Sequence, residues 1–347
     1  MGVSLVAGTP DNQRPRLVHA DSLVYRQTSD GIVQNLWGNV QLVQEEAYLY
    51  CQHAKWWQQT DLLILNTDVA IHDGKRILKA DRVTYDGQKR IETAYDWVSL
   101  QNESRVLTSD QLTYWQQDEV AKATGHVAVT SEQDSVRIEC GSLTYNQKLD
   151  YGLLLENPVF IKQDTSEAET IYIYSDTMQV WGETKTVLIS HNVRIKKGDL
   201  TAKCQQARYL SDTNRLILTQ EPFVYYDIQE MSGDSINVLM DGNKFQRVEL
   251  HGKAEIISTD STKTDRLQGR HIVLQGIQDS VRTVIINDQA ISEYNVTEET
   301  TDSDAQTGFN KLTGDRIILT FVNDDLKRVR VESTPGLCTG EFKPEEN

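Results

Sequence analysis

Ten copies of one short pattern run through the chain, and a repeat of this kind limits the architecture more than any other feature. The pattern places an apolar residue, a small one and two more apolar or aromatic ones at offsets 0, 2, 5 and 7. It recurs as Val18-Ala20-Leu23-Tyr25, Leu49-Cys51-Ala54-Trp56, Leu78-Ala80-Val83-Tyr85, Leu107-Ser109-Leu112-Tyr114, Ile138-Cys140-Leu143-Tyr145, Ile173-Ser175-Met178-Val180, Ala202-Cys204-Ala207-Tyr209, Met231-Gly233-Ile236-Val238, Leu267-Gly269-Ile272-Leu274 and Leu312-Gly314-Ile317-Leu319. Successive copies lie 29 to 45 residues apart, about 33 on average. The second slot is always Ala, Cys, Ser or Gly.

A second signal follows 18 to 21 residues beyond each small slot: Val40, Val69, Val98, Val127, Val159, Val193, Phe223, Ala254 and Ala290, with none in the tenth copy. Turn formers precede several of them, as in Gly38-Asn39-Val40 and His191-Asn192-Val193, so each repeat reads as two strands. Offsets 0 and 2 share a strand face, as do 5 and 7, but the step of three between them shifts the alternation by one residue. An extra residue must therefore be absorbed in a bulge or sharp bend after the small slot. Six repeats put Asp there (Asp21, Asp81, Asp110, Asp176, Asp234 and Asp315), and a carboxylate that hydrogen-bonds a kinked backbone accounts for it.

Apolar residues alternate at period two, β-branched and aromatic types fill the slots, and no capped amphipathic stretch marks a helix. The expected fold is all-β, an elongated open β-jellyroll of folded-over antiparallel sheets built from about ten two-strand repeats. Repeats one to seven favour an aromatic at the last offset, while repeats eight to ten carry aliphatic residues there and Gly in the small slot. Polar inserts also appear at 258–266 and 293–311. This predicts a first region over 17–228 and a second over 229–340 that continues the same stack.

The formal net charge of −16 argues against nucleic acid, which needs clustered Lys and Arg to release counterions. No apolar run approaches the roughly 20 residues of a membrane-spanning helix. Leu5-Val6-Ala7-Gly8 has the character of the tail of a secretory signal but lacks a basic segment before it. An exported protein starting near its mature terminus and a cytosolic one would both begin this way.

The form small-Asp-x-apolar-x-Tyr, followed about a dozen residues later by Gly-Asn-Val, is carried by Ala20-Asp21-Ser22-Leu23-Val24-Tyr25 with Gly38-Asn39-Val40 and by Ala80-Asp81-Arg82-Val83-Thr84-Tyr85. It resembles the organic-solvent-tolerance (OstA-like) family of periplasmic lipopolysaccharide-transport proteins. The likeness extends over nearly all of 17–335, and the later repeats are also similar to the related inner-membrane-anchored domain. The resemblance implies an open-seamed jellyroll whose apolar interior receives acyl chains: a non-enzymatic, periplasmic bridge for lipopolysaccharide. It further implies edge-strand addition to other OstA-like jellyrolls on the inner- and outer-membrane sides, with head-to-tail self-association as the homotypic form.

The groove candidates are Leu23, Tyr25, Val83, Tyr85, Leu112, Tyr114, Leu143, Tyr145, Met178 and Tyr209. Partner contacts are expected at the edges, at Val18, Leu23 and Tyr25 and at Val329 and Val331. Cys51, Cys140 and Cys204 occupy small slots and read as packing residues, while Cys338 falls in a terminal loop. The histidines follow the repeat and not a ligand set, so no metal, cofactor or catalytic site is expected. The alternative is a structural or adhesive β-solenoid with a closed interior and protein contacts only.

Overall fold

A computed structural model describes residues 15–344 apart from 30, 45, 75, 103, 134, 164–169, 242–243, 260–262, 278–279, 298–306 and 323–324. Leu5 to Gly8 lie outside the described residues, as do parts of both polar inserts. The described chain is antiparallel β nearly throughout, with no α-helix and one short 3₁₀ turn at Ser211–Thr213. Of its 26 strands, six pairs are halves separated by a short break, such as Arg16–His19 with Ser22–Thr28 and Tyr151–Leu155 with Val159–Gln163. Joining these halves leaves twenty bent strands, two for each repeat. The tenth repeat also has its second strand, contrary to the sequence expectation: Asp325–Glu332 resumes as Thr339–Pro344 after a longer break containing Cys338.

The strands belong to two compact units. One holds those up to Gln163 together with Asp176–Thr184; the other holds Thr170–Tyr174 and those from Lys185 onward. The change in repeat chemistry near residue 229 falls inside the second unit, where Phe223–Tyr226 pairs with Gln229–Ser232.

Within each unit, neighbouring strands bend at the same level. Ala80 pairs with Val69 and Arg82 with Asn66, so Asp81 alone stands opposite Thr67 and Asp68. Both opposing residues are left-handed, with φ of 64° and 53°. The same pair recurs as Gly38-Asn39, Asp96-Trp97, Gly125-His126, Glu156-Asn157, His191-Asn192, Gln220-Glu221, Gly252-Lys253 and Asp288-Gln289. The extra residue thus sits on the neighbouring strand and not on the small-slot strand where the offsets suggested it. Two successive left-handed residues turn the backbone through the corner, and the opposing strand follows by shifting its alternation.

The small slot faces the second signal across this corner. Cys51 pairs with Val40, Ser109 with Val98, Cys140 with Val127, Cys204 with Val193 and Gly314 with Ala290. All five valines and alanines in these pairs are at most 2% exposed. A small side chain is needed because its partner already fills the inside of the bend.

The Asp closes the corner from outside. Asp21 accepts a hydrogen bond from Asn39 Nδ2 at 3.0 Å, Asp110 meets His126 Nδ1 at 2.8 Å, and Asp315 accepts from the Thr334 amide at 2.8 Å. A Cβ on Gly38 or Gly125, which have φ of 70° and 74°, would collide with the carboxylates of Asp21 and Asp110 respectively. Gly125→Ala is therefore expected to destabilise the protein by about 1–3 kcal/mol in denaturant unfolding. Combining it with Asp110→Gly should recover the part due to the collision and leave the part due to φ.

Candidate functional site

Cross-strand register turns the repeat slots into continuous rows. In the first unit Leu23, Leu36, Ala54, Leu65, Val83, Ala94, Leu112, Ala123, Leu143, Leu154 and Met178 are successive partners. Two residues along each strand runs a second row of Tyr25, Gln34, Trp56, Leu63, Tyr85, Glu92, Tyr114, Ala121, Tyr145, Gly152 and Val180. Beyond the bend, Leu17, Leu42, Leu49, Ile71, Leu78, Leu100, Leu107, Val129, Ile138 and Phe160 form a third. The limbs face one another, because a single cavity is lined by Leu49 and Ile71 from one and by Leu63, Leu65, Val83, Tyr85 and Glu92 from the other.

Nine of the ten groove candidates stand on the first two rows. Val83, Leu112, Tyr114 and Met178 are 2–3% exposed, whereas Tyr85, Leu143 and Tyr145 are half-buried. Leu23 and Tyr25 are 38% and 62% exposed because their strand pairs on one side only among the described residues. Tyr209 lies apart, in the second unit, on a row of Val187, Tyr209, Leu216, Val238, Val248, Leu274, Val284, Leu319 and Val329. Val331 ends the companion row there, after Ile286 and Ile317. At the other edge Leu17, not Val18, pairs in register with Leu42, and Val18 is 56% exposed.

The rows contain one residue that the repeat pattern did not single out. Glu92 is 3% exposed, and neither carboxyl oxygen has a hydrogen-bond partner. Its only sequence signal is positional: Leu63, Glu92 and Ala121 stand 29 residues apart at equivalent inward positions. Burial, and secondarily the charge of Asp73, pushes its carboxyl up to about 8, so it is an uncharged acid at neutral pH. A buried polar group without partners costs about 1–3 kcal/mol. Burial is also the main cause that raises the Tyr85 and Tyr114 hydroxyls, with Asp61 and Glu119 respectively adding to it.

The acid's effect on stability has a defined sign. The folded state holds a proton that the unfolded state releases above about pH 4.5. Stability should thus fall as pH rises from about 4.5 to 8, by up to about 1.4 kcal/mol per pH unit. Denaturant unfolding at a series of pH values should show this slope in the parent and its reduction in Glu92→Gln.

Cys51, Cys140 and Cys204 are buried and free, and burial raises each thiol to about 11. Cys338 is exposed. An aromatic disulfide reagent at neutral pH should label one thiol quickly in the native protein and four after denaturation.

In the second unit the register brings Glu249, His251 and His271 together, with their ligand atoms within 4.8 Å of one another. The imidazoles are stacked 4.5 Å apart at 12°, so their nitrogens do not converge on one point. Glu249 is already engaged by Arg247 at 2.7 Å and Arg215 at 3.6 Å. Burial, then His251, holds His271 below the usual imidazole range.

Two family models match the chain in overlapping segments: the OstA-like protein model over residues 12–126 and the model for LptA and the LptD N-terminal domain, a lipopolysaccharide transport protein, over 106–244. Together the two matches span residues 12–244 and support kinship with the OstA-like lipopolysaccharide-transport proteins. No curated protein matches it. Among solved structures it is similar to LptH from Pseudomonas aeruginosa, described as the LptA-homologous periplasmic component of the lipopolysaccharide transport device. The identity is 13% and the TM-score 0.31, over 34% of this chain and 83% of that one. No helix among the described residues is long and apolar enough to cross a membrane.

Proposed function

We propose that this chain is a periplasmic component of lipopolysaccharide transport that holds acyl chains between the limbs of its bent sheets. The observation that carries the reading is the pair of rows that starts at Leu23 and Tyr25 and runs across every strand of the first unit to Met178 and Val180. Such rows offer an alkyl chain a lining that continues from strand to strand, and burying the chain there removes apolar area from water at about 25 cal/mol per Å². The exposed ends of the rows support edge joining. The strand Ser22–Thr28 pairs with one neighbour among the described residues, as does Asp325–Glu332, and an unpaired edge accepts another strand. The partners are then OstA-like jellyrolls on either side, or a second copy. With a net charge of −16, an anionic headgroup stays in water or is bridged by cations. Nothing in this role requires catalysis.

One observation favours the closed, purely structural alternative: Leu36, Ala54, Leu65 and Val83 are at most 2% exposed, as in a solenoid core. Photocrosslinking separates the two. Photoreactive groups at Val83, Leu112, Leu143 and Met178 should label lipopolysaccharide, while groups at Thr84 and Thr144, one residue out of phase, should not. Equal labelling of both sets, or of neither, removes the acyl-chain reading.

Edge joining has its own check. The parent should associate in a concentration-dependent way in sedimentation, and Leu23→Pro and Val329→Pro should weaken association without changing the unfolding midpoint of the inner strands. Variants that assemble as the parent does would mean that the edges are not the joints.

A further inference from the structure

An interior that only solvated alkyl chains would have no use for a carboxyl group at its centre. Glu92 stands between Tyr85 and Tyr114 in the middle of the first unit's second row, with both oxygens unpartnered. It opens on a cavity whose walls are Leu49, Leu63, Leu65, Ile71 and Val83, with Gln44 and Tyr85 as the other polar lining residues. The one charge that bears on it is acidic, that of Asp73, and Asp73 is itself ion-paired with Arg76 at 3.4 Å. We infer that Glu92 is a polar anchor within the interior, which hydrogen-bonds a neutral hydroxyl or amide carried part-way along an acyl chain. The inference rests on the reading that the interior holds acyl chains, and it names which chains are favoured.

The chemistry follows from the protonation state. An uncharged carboxylic acid offers one donor and one strong acceptor, the complement of a hydroxyl or amide. A bare methylene chain satisfies the leucines and leaves the acid unmatched. An anionic group is repelled by Asp73 and, above the acid's own ionisation, by Glu92 itself. Sites built to hydrogen-bond a hydroxyl discriminate strongly against the analogue that lacks it.

The test compares palmitate with a mid-chain hydroxypalmitate, each titrated calorimetrically into the full chain at about pH 7. The parent is expected to bind the hydroxylated chain about tenfold more tightly. Glu92→Gln, which keeps a donor and an acceptor, should preserve the preference, and Glu92→Leu should abolish it while binding palmitate at least as well. A mid-chain ketopalmitate, which offers only an acceptor, should likewise be preferred over palmitate at pH 7, and the parent should lose that preference near pH 9, where the ionised Glu92 among Asp73, Arg76, Tyr85 and Tyr114 can only accept, while that of Glu92→Gln persists. This arm reads the same property without a destabilising variant. Equal binding of palmitate and hydroxypalmitate by the parent, an unchanged preference in Glu92→Leu, or an unchanged preference for the ketopalmitate in the parent at pH 9, overturns the anchor and leaves the lipid reading standing. Failure of the parent to bind any of these lipids overturns both.

Discussion

The structure depends on a two-against-one mismatch at the corners where neighbouring strands bend. Two left-handed residues on one strand oppose a single residue on the next, and because the mismatch recurs at the same level the sheet of each unit folds over along one line. A flat sheet of this composition would leave one apolar face in water. Folding along a common line turns that face onto itself, and the small slot, the valine opposite it and the bend aspartate are each consequences of the crowding that results. The strain of placing Asp96, Trp97, Gln220 or Glu221 in left-handed conformations, about 1–3 kcal/mol per residue, is offset by the burial gained along the fold line.

Much of this was legible in the residues. The alternation at period two, the phase shift after Ala80 or Ser109 and the recurrence of Asp21 and Asp81 specify bent strand pairs, because side-chain direction in a strand is a parity that a sequence displays directly. The location of the bulge was not legible. Residues such as Trp97, Gln220 and Gln289 carry no propensity for positive φ, and only the pairing of Val69 with Ala80 and Asn66 with Arg82 reveals which strand takes the additional residue. The division of the chain between Gln163 and Lys185 was hidden for a related reason: the repeat continues through it, and contact density is not a property of the repeat.

For the site, the slots placed Val83, Leu112, Leu143 and Met178 on one row because equivalent offsets in successive repeats become cross-strand neighbours. Glu92 escaped the pattern because the strand between two slots carries no fixed residue type: Leu63 and Ala121 at the corresponding positions are unremarkable, and a single Glu in an acidic chain attracts no notice. Tyr209 shows the opposite effect. It matches the aromatic slots by type, yet its register neighbours Val187 and Leu216 stand in the second unit, on a row that is otherwise aliphatic.

The pairing of small slots with the valine or alanine of the repeat before, as in Cys51 with Val40 and Gly314 with Ala290, has a consequence for how such chains change in length. Corners form within a repeat, as where Asp81 stands opposite Asp96-Trp97, and between consecutive repeats, as where it stands opposite Thr67-Asp68, so each strand pair supplies the half that its successor needs. Between Ala80 and Ser109 the spacing is 29 residues. Excising that many residues there would bring Asp110 behind Ala80 and set Leu112 against Leu65, a contact of the same kind as the one removed. The fold therefore tolerates editing in whole units and resists it in fractions: losing one residue inverts the parity of everything downstream in that strand, while losing an entire repeat only shortens the rows.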